Sequence, residues 1–273
     1  MTPYPQDGGE VGLIAGRGCY PFEWVAAAKR AGVKKIVAIA FEGETDPALA
    51  AEVGEMHWMS VGQLGKLLKT FREKKIRRAV MAGQIRPGRL FDLKPDFRAL
   101  FLLARLKKRN AESLFSAIAD QLASAGIELL PATVFMEDQI AGVGWQIGPK
   151  IKPRLMDDAR YGFSIAKEIS RLDIGQTVVV RQGTVLAVEG FEGTNDTLRR
   201  GGSFGAGAVA VKVSKPNQDM RFDVPVIGSQ TAEVAAGAGL ALFAVESRKT
   251  LLLEREKLTE LAAEKKISFV ALE

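Results

Sequence analysis

A chain of 273 residues exceeds the roughly 100 to 200 residues of a usual single domain, so two domains are expected. With 47% hydrophobic and 26% charged residues the composition is that of a globular protein and argues against long disordered tracts. The formal net charge of +6 favours anionic partners such as nucleotides or phospholipid surfaces, and the scatter of basic residues in short pairs, with no aromatic-interleaved RNA motif, argues against nucleic acid.

The first half alternates strands and helices. Val11 to Ala15 is an apolar run ending in Gly16-Arg17-Gly18, and Phe22 to Ala31 then carries apolar residues at helical spacing until Gly32. Lys35 to Ala40 and Met56 to Ser60 read as further strands. Gln63 to Lys75 reads as a helix with Leu64, Leu67, Leu68 and Phe71 on one face, and Arg78 to Ala82 as a fourth strand. Strands separated by helices of this length need crossover connections, so this half predicts a Rossmann-like parallel sheet. Asp96 to Lys108 and Glu112 to Ala125 follow as helices, and Glu128 to Leu130 as a short strand.

Between Ala141 and Pro153 the text AGVGWQIGPKIKP is rich in Gly and Pro and without period, which reads as a linker; the domains are placed at 1–145 and 146–273. Asp157 to Leu172 is helical. Thr177 to Val180 and Val185 to Glu189 flank Gln182-Gly183 as a hairpin. Strands are predicted at Ala208 to Val213, Val224 to Ile227, Ala241 to Val245 and Ser268 to Leu272, with helices at Ser229 to Ala238 and Glu254 to Lys265, which makes the second domain mixed α/β.

The single cysteine, Cys19, forms no internal disulfide, and the first ten residues lack the basic-then-apolar order of a signal peptide, so a cytoplasmic location is expected. No apolar run approaches the ~20 residues needed to cross a bilayer, which leaves peripheral contact as the mode for a lipid substrate. His57 is the only histidine, which rules out a multi-histidine metal site.

Four segments carry chemistry. Gly16 lies in a glycine turn between a strand and a helix, where backbone N–H groups suit a phosphate; a tight structural turn is the alternative, and the glycine spacing does not fit GxGxxG. Gly83, Gln84 and Arg86 follow the fourth strand, at the edge where ligands of parallel sheets bind, and could address a diphosphate or simply face solvent. Glu189, Glu192, Thr194, Asn195 and Asp196, with Arg199 close behind, combine hard oxygen ligands for Mg²⁺ with a phosphate-binding base. Lys212, Lys215, Gln218, Asp219, Arg221 and Asp223 bring charges of both signs to one loop; surface ion pairs are the bland alternative for both of these loops.

The stretches GLIAGRGCYPFEWVAAAKRAG, VMAGQIRPGRLFDLKPD, LDIGQTVVVRQGTVLAVEGFEGTNDTLRR and VKVSKPNQDMRFDVPVIG resemble, in order, the LpxI-type UDP-2,3-diacylglucosamine pyrophosphatases, and the likeness covers nearly the whole chain. The resemblance implies a Rossmann-like domain followed by an α/β domain particular to the family. It also implies hydrolysis of UDP-2,3-diacylglucosamine to UMP and 2,3-diacylglucosamine 1-phosphate in lipid A biosynthesis. Mg²⁺ is the implied cofactor, with Mn²⁺ as an alternative; peripheral contact with the inner membrane surface is expected, and a homodimer is one open alternative for the oligomeric state. The catalytic acid is expected at Asp219, with Asp223 as its rival. Asp219, Glu192, Glu189 and Asp196 are the expected metal ligands, and the remaining residues of the four segments the expected substrate contacts. Leu90, Phe91 and Leu100 to Leu103 would line an acyl channel or belong to the core. Two rival readings are an NAD-dependent enzyme and a non-catalytic protein that binds a nucleotide sugar or an acidic lipid.

Overall fold

The structure, a computed structural model, describes residues 9–86, 95–106 and 111–273. It divides into two compact units, Met1–Glu137 with Asp219–Asp223, and Asp138–Gln218 with Val224–Glu273. Pro87, Arg89, Leu90 and Phe91 lie outside the described residues.

In the first unit β1 (Glu10–Ala15), β2 (Lys35–Phe41), β3 (Glu55–Met59), β4 (Arg78–Ala82) and β5 (Glu128–Leu129) form an all-parallel sheet of order β3-β2-β1-β4-β5. β1 and β2 are buried almost end to end, because a parallel sheet is covered on both faces. α1 (Tyr20–Arg30) buries Trp24 and Val25, and α2 (Leu64–Glu73) buries Leu64, Leu67, Leu68 and Phe71, the face its spacing predicts. α3 (Phe97–Arg105) and α4 (Ala111–Ser124) precede β5. Asp96 begins two helices at once. Its Oδ1 accepts from Ala99 N at 3.0 Å, and its Oδ2 accepts from Gly65 N at 2.6 Å and Lys66 N at 3.3 Å. A carboxylate is favoured at both N-termini by the free amides and by the helix dipole.

Asp219–Asp223 belongs to this unit, although the residues on either side of it belong to the other. Ala132 N donates to Met220 O at 2.8 Å, and Phe222 stacks on Phe115 with centroids 5.7 Å apart and packs against the core of the unit.

The second unit is a six-stranded sheet of order β6-β13-β11-β9-β7-β8. β9 (Val209–Lys212), β11 (Leu242–Glu246) and β13 (Ser268–Leu272) run parallel, while β6 (Gln146–Ile147), β7 (Thr177–Arg181) and β8 (Thr184–Val188) pair antiparallel. β10 (Val226–Ile227) and β12 (Leu251–Leu252) form a separate parallel pair. Alternation along the strands divides the core into two layers. Val178, Val180, Val209 and Val211 meet Ala159 and Ala166 of α5 (Pro153–Arg171) on one face. Val179, Ala210, Phe243 and Phe269 meet Leu198, Ala232, Ala235, Leu258 and Ala262 on the other. These last come from α6 (Thr194–Gly202), α7 (Ser229–Gly237) and α8 (Arg255–Glu264).

The segment that reads as a linker is built into this unit. Ala141 is wholly buried and its N–H donates to Thr250 O at 2.8 Å, while Gln146–Ile147 pairs with β13 as an edge strand. Gly148 is required there: its φ is +80°, and a Cβ would lie 2.3 Å from the Ile267 carbonyl oxygen.

The hairpin turn between β7 and β8 rests on one buried acid. Gln182 and Gly183 both have positive φ, at 53° and 73°, and Asp158, 6% exposed, accepts from both of their backbone N–H groups at 2.8 Å. Asp158→Ala leaves two donors without their charged acceptor and is expected to lower stability by about 2–4 kcal/mol in a urea titration. An unchanged midpoint would mean that the turn holds without it.

Candidate functional site

In a sheet of this order the connections leaving β1 and β4 run in opposite directions, and a ligand crevice normally opens beyond the ends of those strands. Here backbone bridges it. Arg17 N donates to Gln84 O at 2.8 Å, Gln84 N to Arg17 O at 3.2 Å, and Gly16 N to Ala82 O at 2.8 Å. A Cβ on Gly16 would lie 2.6 Å from Gln84 O, and one on Gly83, whose φ is +94°, 2.8 Å from Arg17 O. The close crossing of these two backbone segments therefore accounts for both glycines. The Gln84 side chain is exposed.

Arg86 is held from behind. Its Nε donates to Glu44 Oε1 at 2.9 Å and its backbone N to Glu44 Oε2 at 3.1 Å, and the Glu44 side chain is fully buried at the end of β2. A buried carboxylate committed in this way is not available to a ribose hydroxyl, whereas Glu42, the other acid after β2, is exposed. Arg86→Ala removes a charged partner of that carboxylate and is expected to cost about 2–3 kcal/mol, after allowance for the half-exposed guanidinium. Glu44→Gln in the same chain should recover most of the loss, as read from the thermal midpoint.

On the same unit Asp219 and Arg221 form a two-pronged pair, Nε to Oδ1 at 2.9 Å and Nη2 to Oδ2 at 2.6 Å, with Arg221 N donating to Oδ1 at 3.1 Å. Hydrogen bonds from the guanidinium hold the Asp219 carboxyl below its usual range, against the opposing effect of burial. Asp223 N donates to Asp219 O at 2.9 Å, so the two acids sit one turn apart.

On the second unit the loop from β8 into α6 organises the acidic residues. Glu189 accepts from Thr194 Oγ1 at 3.0 Å and from Gln176 N at 3.1 Å. Glu192 accepts from Gly190 N at 3.0 Å and pairs with Arg200, which lowers its pKa to about 2. Asp196 pairs with Arg199 at 2.6 Å. The glycines after the basic pair serve packing: a Cβ on Gly201 would meet Val179 and one on Gly202 the Ala238 carbonyl.

Lys212 ends β9 and reaches across this loop. Its Nζ donates to Thr194 Oγ1 at 3.2 Å and to Val226 O at 3.4 Å. Thr194 opens α6 after Gly193, whose φ is +81°, and Val226 lies on the strand that enters α7 through Gly228. Neither helix has a side-chain cap from its N-cap residue. One ammonium thus lies beside the threonine that opens α6 and the strand that leads into α7, an arrangement suited to a phosphate oxygen. Asn195 is half-buried in the first turn of α6. Lys215 pairs with Asp173, its backbone N donates to Gln218 Oε1 at 2.6 Å, and Gln218 Nε2 is buried with no partner among the described residues. Thr177, whose Oγ1 is 3.4 Å from that of Thr194, and the Val226 carbonyl complete the cluster. No spacing rule announces either of them.

The structure thus joins Glu189, Thr194 and Lys212 in one cluster and pairs Glu192 and Asp196 with their own arginines. Asp219, Arg221 and Asp223 belong to the other unit. Among the described residues no group of three or more His, Cys, Asp or Glu could hold a metal ion. Mg²⁺ sites commonly take one or two carboxylates and draw their other ligands from substrate phosphates and water, a demand that a single acid such as Asp219 or Asp223 fits. Among the described residues no helix is long and apolar enough to cross a membrane.

Residues 10–139 match the LpxI N-terminal domain and residues 143–270 the LpxI C-terminal domain. The UDP-2,3-diacylglucosamine pyrophosphatase LpxI of Caulobacter vibrioides is 32% identical over 263 residues, spanning 90% of this chain and 91% of that protein. Among solved structures, the biotin carboxylase subunit of pyruvate carboxylase is 17% identical over 66% of this chain and 35% of its own, with a TM-score of 0.26. The Hydrogenobacter thermophilus 2-oxoglutarate carboxylase biotin carboxylase domain is 14% identical over 64% of this chain and 35% of its own, with a TM-score of 0.27. The chain spans 35% of each of these two structures, and likeness at that level carries no argument about fold or chemistry. Both halves of the LpxI architecture are present in order, and the likeness to the Caulobacter protein runs from end to end: the chain belongs to the LpxI family.

Proposed function

We propose that this chain hydrolyses the pyrophosphate bond of UDP-2,3-diacylglucosamine, releasing UMP and 2,3-diacylglucosamine 1-phosphate in lipid A biosynthesis. The observation that carries the substrate is end-to-end similarity to a protein of that activity at 32% identity. The setting of Lys212 supports the diphosphate part independently, since an ammonium beside the threonine that opens α6 suits a phosphoryl oxygen.

Each unit is assigned what its own residues can do. In the second, Lys212 and the first turn of α6 at Thr194 and Asn195 hold phosphate oxygens and take up negative charge as the bond breaks, with Glu189 fixing the Thr194 hydroxyl. In the first, Asp219 or Asp223 accepts a proton from the attacking water or holds a divalent cation, and Arg221 keeps Asp219 ionised. A bound Mg²⁺ would neutralise diphosphate charge and make water a better nucleophile. Gln84, Arg86, Arg199, Lys215 and Gln218 remain proposed contacts, with Arg86, Arg199 and Lys215 each already holding an acidic partner.

The test is UMP release from purified substrate in Mg²⁺, in Mn²⁺ and in excess EDTA. The expected result is turnover with either metal and loss of at least about 10²-fold under EDTA, restored by adding metal back. Intact substrate under every metal would favour a protein that only binds the nucleotide sugar, and full turnover in EDTA would remove the cation.

A further inference from the structure

We infer that the outer face of α3 is a docking surface for an anionic phospholipid bilayer. Helical geometry places Phe97, Leu100, Phe101 and Ala104 within an arc of about 100°, opposite the core-facing Ala99 and Leu102. That outer face is bare: Phe97 is 92% exposed, Leu100 55% and Phe101 59%. Three large apolar side chains side by side on water-facing helix are what interfacial helices present to the headgroup boundary. The helix contains no acidic residue, and its two arginines, Arg98 and Arg105, are exposed along one edge of the stripe, with the Arg105 guanidinium 4.1 Å from the centre of the Phe101 ring.

That charge complementarity selects the occupant. A basic margin beside an apolar stripe matches anionic headgroups above acyl chains, whereas a second copy of the same helix brings no acidic residue to meet the arginines. The face is also pre-set, because the Asp96 carboxylate ties the first turn of α3 to that of α2. Little ordering of the protein is then needed on contact. The inference deepens the lipid-substrate reading by naming the surface that meets the membrane, and it rests on that reading only for the choice of a bilayer as the relevant lipid body.

The experiment is co-sedimentation of the full chain, without substrate, on phosphatidylcholine vesicles with and without phosphatidylglycerol. Wild type is expected to bind the anionic vesicles, and Phe97→Ser/Leu100→Ser/Phe101→Ser to bind at least about tenfold more weakly with an unchanged melting temperature. Arg98→Gln/Arg105→Gln is expected to remove the preference for phosphatidylglycerol. Equal binding by wild type and the triple variant, or no binding by wild type, overturns the inference. So does a wild-type dimer in lipid-free buffer that the triple replacement dissolves, which would give the face to a second copy. No step of this assay requires hydrolysis, so its failure is separate from failure of the proposed activity.

Discussion

Lys212→Met is expected to lower UMP release by about 10²–10³-fold, the usual effect of removing a fixed positive donor from a phosphoryl-transfer site. The expectation rests on placement. Lys212 stands at the last residue of β9, and its ammonium is drawn to the Thr194 hydroxyl on one side and the Val226 carbonyl on the other. Neither direct partner is charged, and Glu189 is reached only through the Thr194 hydroxyl, so the ammonium is less offset than Arg199 or Arg200, which pair directly with Asp196 and Glu192. Methionine keeps the stem and removes the charge. The variant should therefore fold, and the loss should fall mainly on kcat, because charge grows on the phosphoryl oxygens as the bond breaks. Thr194→Val, which removes the hydroxyl that seats the ammonium, should lower the rate by a smaller factor, about tenfold. Full activity in Lys212→Met would end the role given to this cluster.

Local pattern carried most of this fold. The apolar runs of β1, β2 and β4, the Leu64, Leu67, Leu68 and Phe71 face of α2, and the hairpin around Gln182-Gly183 all depend on neighbours a few residues away, and all stand where spacing places them. What depends on distant partners was hidden. Gln146–Ile147 is too short to show a strand period, and its pairing comes entirely from β13. Arg86 reads as a free ligand-seeking base because nothing in its own loop reveals Glu44, which lies at the end of another strand. The same limit applies to the EGFEGTND loop. Its chemistry is legible as residue types, but which acids keep company with arginines and which with a threonine is decided by the turn into α6. The glycines at Gly16 and Gly83 show a further ambiguity: a phosphate turn and a close backbone crossing require the same residue for the same steric reason.

The sharpest division lies between Asp219 and Asp223. Asp219→Ala and Asp223→Ala are predicted to differ, with the essential acid losing about 10³-fold or more in UMP release and the other retaining most of it. Fastening of the segment by Met220 and Phe222 leaves both variants folded, since neither acid supplies those contacts. Asp219 carries the distinguishing electrostatics. Its pair with Arg221 depresses its pKa, so it remains ionised as pH falls through the ordinary carboxylate range. For the same reason the pair contributes stability that is present above the unfolded-state pKa and is lost as pH falls through the lower folded-state value. If Asp219 is the acid, the acidic limb of the kcat/KM profile lies below the usual aspartate range, and Arg221→Gln moves that limb upward while sparing activity near neutral pH. If Asp223 is the acid, Arg221→Gln leaves the limb where it was. A limb that stays fixed while Asp219→Ala still abolishes turnover would assign Asp219 to holding the cation, since a ligand's contribution would then be read in the Mg²⁺ concentration needed for half-maximal rate.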